Sequence, residues 1–178
     1  NRKAAAKDVK VTGTTKWQLK EQECAYIPVK EMLAHAPGFL ATVLKREIAF
    51  EEVYSDILKR AFLPISRGKP SGDRLRLLTV LQKAIEGKVV IKGEYFFLKN
   101  SQGELEFTLL AEGMRKLALV WLLIQNQTLH SGSVLFWDEP EANLNPALMG
   151  ELVEVILGLQ RMDVQVFLTT HNYVLLKE

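Results

Sequence analysis

With 178 residues, 48% hydrophobic and 25% charged, the chain is long enough to bury one core and too apolar for a disordered tail. Its longest apolar stretch, near Leu117 to Ile124, falls well short of the ~20 residues that cross a bilayer, and its start, NRKAAAKDVK, lacks the apolar centre of a signal peptide, so a cytoplasmic protein with no membrane partner is expected. The single cysteine, Cys24, excludes an internal disulfide framework, and three scattered histidines (His35, His130, His171) cannot complete a metal cluster with it, which leaves Cys24 as a small core residue.

The net charge of +2 is unevenly spread: Arg2, Lys3, Lys7, Lys10, Lys16 and Lys20 against Asp8 alone give +5 over the first twenty residues, and therefore −3 elsewhere. Such a run suits the phosphates of a nucleic acid, which stays an open partner, although a solvated strand face is the plainer explanation. Next in the chain, VKVTGTTKWQL alternates Val9, Val11 and then Trp17, Leu19 about Gly13, as a hairpin does, and ECAYIPV reads as a short strand closed by Pro28.

From Val29 to Gly87 the period is helical, with Phe39, Leu40, Val43 and Leu44, then Ile48, Phe50, Val53, Ile57 and Leu58, and after the loop PISRGKPSGD, Leu75, Leu78, Leu81 and Ile85. KVVIKGEYFFLKN and ELEFTLL, joined by SQG, read as a pair of strands. The last third alternates helix (Glu112 to Asn126), strand (Ser133 to Trp137), helix (Pro146 to Gln160) and strand (Val164 to Thr169), followed by the start of another helix. Strands so continuously apolar predict parallel neighbours buried on both faces of an α/β core. Chemistry in such folds lies just past the carboxyl ends of the strands, where Asp138, Glu139 and His171 fall.

A carboxylate directly after a buried strand suits Mg2+, which takes few carboxylates and keeps much of its water, and Asp138 has that place. Glu139, as the chain leaves the strand, points elsewhere and can act as general base on a water. His171, behind Thr169 and Thr170 on the next strand, can donate to a terminal phosphate.

These segments carry a resemblance. VLFWDEP resembles the Walker B strand and catalytic glutamate of ABC-type ATPases, EANLNP the D-loop after it, and VFLTTH the H-switch strand, in the same order and spacing. LLAEGMRKLALVWLL stands where those proteins have their signature motif. NLNP in place of the transporter-type SALD is closer to the soluble branch, similar to SMC, RecF and OLD-family proteins, the AAA-labelled ATPases of DNA repair and of anti-phage and toxin systems. The resemblance covers most of residues 24 to 178.

It implies a P-loop NTPase fold of ABC type: a central, largely parallel sheet flanked by helices, with peripheral antiparallel strands. Residues 1–38 would supply partial N-lobe strands, 39–87 a helical insertion, and 88–178 a strand pair and the C-lobe. It also implies ATP and Mg2+ as cofactors, with Asp138 at the metal, Glu139 and His171 catalytic, and Ala111, Glu112, Gly113, Met114, Arg115 and Lys116 facing the nucleotide of another subunit. Asn143 and Asn145 would couple the two sites. The partners implied are a second copy in a homodimer or head-to-head oligomer joined through nucleotide, with a nuclease, toxin or other effector protein beyond it. Gly113 at the helix start would bring backbone N–H groups close to an anion.

The chain departs from that pattern in three places. Ala111 replaces the signature serine, so that Arg115 or Lys116 is expected to supply compensating charge. Lys30 and Glu31 stand where a Q-loop glutamine would be, with Glu31 within reach of the metal. A phosphate loop, G-x-x-x-x-G-K-[ST], is missing: Gly68-Lys69 and Gly87-Lys88 are preceded at the first glycine position by Leu63 and Gln82 and followed by Pro70 and Val89. The expectation is therefore an incomplete head, the carboxyl-terminal portion of a longer ATPase, inactive alone and marginal or oligomeric. The alternative is a non-catalytic interaction or scaffold module that retains the fold. A two-metal nuclease would need carboxylates from several strands, and no acidic triad accompanies Asp138 and Glu139.

Overall fold

A computed structural model describes residues 21–45, 49–173 and 175–177. The hairpin expected at 9–19 and the basic run of the first twenty residues lie outside them. In chain order the elements are β1 (Cys24–Ile27), α1 (Phe39–Leu44), α2 (Glu52–Ala61), α3 (Gly72–Ala84), β2 (Lys88–Lys92), β3 (Tyr95–Asn100), β4 (Gly103–Glu106), α4 (Glu112–Gln125), β5 (Val134–Asp138), α5 (Met149–Arg161) and β6 (Gln165–Thr169). Short 3-10 turns at Leu33–His35, Phe107–Leu109 and Pro146–Leu148 join them.

β1, β5 and β6 form a parallel sheet in the order β1-β5-β6, in a register that sets Tyr26, Phe136 and Phe167 side by side and Asp138 opposite Thr169. Because strand side chains alternate, Ala25, Ile27, Leu135 and Trp137 project to one face, and all four are buried. α4 is buried continuously from Lys116 to Ile124, the mark of a helix surrounded by protein rather than lying on a surface. α3 packs against both α4 and α5. Its inward face is Leu77, Leu78, Leu81 and Ala84; Leu75, expected on that face, is 49% exposed. At about 3.6 residues per turn, Leu75 is turned well away from the centre of the face shared by those four residues, and Leu77 takes the inward place.

Two other expectations change. KVVIKGEYFFLKN is not one strand but a hairpin, β2 and β3, turning at Gly93 in a left-handed conformation, and with β4 it makes a three-stranded antiparallel meander. The meander is fastened to the core through Phe96, whose ring lies 4.7 Å from that of Phe62 and 5.8 Å from that of Phe107. Nor is the parallel sheet covered on both faces by the described residues. Phe136 and Phe167 stack at 4.9 Å on the second face and stay 40% and 46% exposed. Cys24 points to that face too and is half-buried, with burial pushing its thiol pKa up. Residues 175–177 form turns rather than the helix expected there.

Candidate functional site

The matched carboxyl ends of β5 and β6 bring Asp138, Glu139 and His171 together. Asp138, the last residue of β5, accepts a hydrogen bond from the Thr169 hydroxyl at one oxygen and from the Tyr26 hydroxyl, at 3.3 Å, at the other. Burial first, and then the Asp138 charge and hydrogen bond, push the Tyr26 pKa up, so that Tyr26 remains the donor. Beyond Asp138 the chain turns sharply. Glu139 has φ 44, and its N–H donates to the Thr169 carbonyl at 3.0 Å. That left-handed residue sends the Glu139 carboxylate towards β6, where Oε1 lies 3.3 Å from His171 Nε2.

The loop after β5 is gripped by α4. Lys116 is buried, and its ammonium donates to the carbonyls of Ala142 at 2.9 Å and Glu139 at 3.3 Å. Burial lowers its pKa, against the pull of Glu112, Glu139, Glu141 and Glu31. Gly113 is needed for close approach: a Cβ there would lie 2.7 Å from the Leu144 Cα and 2.8 Å from the Asn143 carbonyl oxygen. Asn143, left-handed at φ 60, donates to Glu112 at 3.0 Å. Asn145 accepts from the Ala147 N–H and caps the following 3-10 turn. Met114 is half-buried against the core, and Ala111, the N-cap of α4, is exposed and makes no side-chain cap.

Arg115 turns inward, pairing with Glu31 and donating to the carbonyls of Leu110 and Phe107, and Lys116 turns inward as described. Both side chains are thus engaged with acceptors of the fold itself. Glu31 is committed to partners of its own. Its side chain is fully buried between Arg115 and the Leu33 N–H, and burial raises its pKa despite both partners. A cleft of about 700 Å3 opens beside this pair, between Lys30, His35, Phe39 and Phe50 on one side and Glu112 and Asn143 on the other.

Reading by residue type passed over Tyr26, Thr169 and Glu141. Glu141 accepts from the Thr170 hydroxyl and from the N–H groups of His171 and Asn172, both at 3.2 Å. Tyr26 and Asp138 are 112 positions apart, and only the parallel register announces their contact. Glu141 carried a signal, as a second acidic residue two beyond Glu139.

The donor set suits Mg2+ delivered with phosphates rather than a metal held by protein alone. Asp138 and the Thr169 hydroxyl provide the hard oxygens that such an ion takes from a protein, whereas no three His, Cys, Asp or Glu side chains among the described residues form a closed cage.

A family model described as "AAA domain, putative AbiEii toxin, Type IV TA system" matches residues 29–177. The chain belongs to this family. The match runs through α4, the loop after β5 and His171, so Asp138, Glu139, Glu141, Thr169 and His171 lie within the AAA domain, while Tyr26 lies just before the matched residues. Membership brings a P-loop ATPase-like domain, with which the parallel sheet and flanking helices agree, and ATPase activity with ATP and Mg2+ as the family's general requirements. No curated protein matches the chain. No helix among the described residues is long and apolar enough to cross a membrane.

Proposed function

We propose that this AAA domain supplies one half of an ABC-type ATP-hydrolysing site. The observation that carries the reading is the approach of Glu139 to His171, 3.3 Å apart, beside Asp138 at the matched ends of β5 and β6. Asp138 and Thr169 are the residues that would hold Mg2+, which when bound offsets the negative charge of the phosphates. Glu139 takes the proton of the attacking water, whose oxygen bonds to the γ-phosphorus as ADP leaves. His171 donates a hydrogen bond to the γ-phosphate and loses that partner after hydrolysis.

In this reading VLFWDEP, EANLNP and VFLTTH serve as Walker B strand, D-loop and H-switch of an SMC/RecF/OLD-like head in the cytoplasm. Ala111 and Glu112 are the outward part of the signature segment, presented to a nucleotide held by a second copy, with Gly113 and Met114 behind them seating the segment on the loop after β5 and on the core. Arg115 and Lys116 support it from within, and Asn143 and Asn145 link the two sites. The phosphate grip comes from a segment outside these 178 residues, since they contain no G-x-x-x-x-G-K-[ST]. DNA repair or a toxin–antitoxin process is the coupled function, the latter supported by the family's description, with a nuclease, toxin or nucleic acid downstream. The test is calorimetric titration of Mg·ATP into this chain and into a form extended to whatever phosphate loop its gene encodes. Binding by the extended form alone supports the reading, and binding by neither defeats it.

A second reading, an interaction module that retains the fold, is favoured by the exposed Phe136–Phe167 stack and by Ala111 at the signature serine position. It predicts partner binding independent of ATP.

A further inference from the structure

His171 poses a positioning problem. Its imidazole is 91% exposed, so packing does not orient it, and it sits just beyond the end of β6, where ladder hydrogen bonds have stopped. A histidine so placed would sample several rotamers and backbone angles, and its meeting with Glu139 would be occasional. The loop after β5 removes that freedom from the backbone side. One oxygen of Glu141 receives the N–H groups of His171 and Asn172 and the hydroxyl of Thr170, and the Thr170 oxygen in turn accepts from the Asn172 N–H at 2.9 Å. Consecutive N–H groups converging on one carboxylate oxygen make a charge-assisted cap, stronger than neutral hydrogen bonds of the same geometry.

We infer that Glu141 is a positioning residue, whose carboxylate caps the turn after β6 and thereby fixes His171 against Glu139. The left-handed turn at Glu139 is what allows this. It reverses the chain so that two carboxylates two residues apart address the same histidine, Glu139 at the ring and Glu141 at the backbone. Lys116 and Gly113 hold the loop that carries both. His171 and the loop after β5 therefore move as one body, and a displacement of exposed Asn143 is passed to the histidine. The catalytic consequence rests on the ATPase reading above; the structural one does not.

The experiment compares Glu141→Ala, Glu141→Gln and Thr170→Val in the full-length protein, reading hydrogen exchange at the His171 and Asn172 amides together with kcat and KM for ATP. Glu141→Ala is expected to accelerate exchange at both amides by about tenfold or more while β5 amides keep their rates. It should also lower kcat by about tenfold or more with KM changed by less than about threefold. Glu141→Gln, whose carbonyl oxygen can take the same three donors without the charge, should recover part of both and fall between Glu141→Ala and wild type. Should Glu141→Ala not fold, Thr170→Val removes one donor and should shift exchange and kcat in the same direction by less. Unchanged exchange, or faster exchange with kcat retained, overturns the inference. A wild-type protein without turnover defeats the ATPase reading alone, and the exchange arm then decides whether Glu141 holds His171.

Discussion

A Cβ on Gly113 would lie 2.7 Å from the Cα of Leu144, so the first turn of α4 and the loop after β5 fit only because position 113 has no side chain. Two of the colliding atoms, the Leu144 Cα and the Asn143 carbonyl oxygen, belong to backbone and cannot swing away. Gly113→Ala should therefore destabilise the fold although alanine is the better helix former. Overpacking costs about 1–3 kcal/mol, more than the ~1 kcal/mol of helix propensity regained. Urea denaturation measures it, and an unchanged or raised midpoint would contradict the packing argument. A larger replacement such as Gly113→Asp carries the same collision, so a loss of nucleotide-driven dimerisation in that variant is informative only beside its unfolding midpoint.

Ala111 begins α4 without a side-chain cap. Ala111→Ser provides an oxygen for a free N–H of the first turn and should stabilise the protein by about 1 kcal/mol, raising its thermal midpoint by a few degrees. If the segment also faces a nucleotide in a second copy, the same substitution strengthens nucleotide-dependent dimerisation. A stability gain without that second effect limits position 111 to capping.

Glu31 offers a pH test. Burial raises its pKa above the ordinary 4.5, so between 4.5 and the raised value the folded state holds more protons than the unfolded one. Stability from this group is full below that window and falls as pH rises through it. Wild type should lose stability relative to Glu31→Gln as pH rises above 4.5, as read from urea midpoints at each pH. A relative gain over that interval would mean that the Arg115 pair outweighs burial.

The sheet face that the described residues leave uncovered makes its own prediction. Phe136 and Phe167 together present stacked rings to solvent, an apolar patch that favours association. Phe167→Lys should weaken self-association of the 178-residue chain, seen as a smaller concentration dependence in sedimentation velocity, without loss of helical signal. Association unaffected by the substitution would place the contact elsewhere.

What could be read from the chain beforehand follows local physics. The strands over 134–138 and 165–169 and the helix over 112–125 were legible because their apolar runs are long and bounded by turn residues. The β2–β3 turn was hidden inside a run where Val89 to Leu98 is broken only by Lys92, Gly93 and Glu94. Leu75 was misplaced because successive three-residue steps drift around a helix of about 3.6 residues per turn, so that Leu77 rather than Leu75 completes the inward face. An apolar run likewise cannot tell whether both of its faces are covered, and Phe136 shows the difference. At the site, Asp138, Glu139 and His171 were legible as residue types at strand ends. Tyr26 and Glu141 were not, since their contacts depend on the register of distant strands and on one left-handed residue. Gly113 was legible as special, but for a close approach of backbone to backbone, not yet to any ligand.

The measurement that bears most directly on the ATPase reading is Glu139→Gln in the full-length protein, with ATP binding by calorimetry and turnover by phosphate release. The substitution preserves the shape of the side chain and removes its basicity. Binding should stay within about threefold of wild type while turnover falls by about a hundredfold or more, the contribution expected of a general base. Turnover at the wild-type rate would contradict the assignment of Glu139 and, with it, the proposed chemistry of the site.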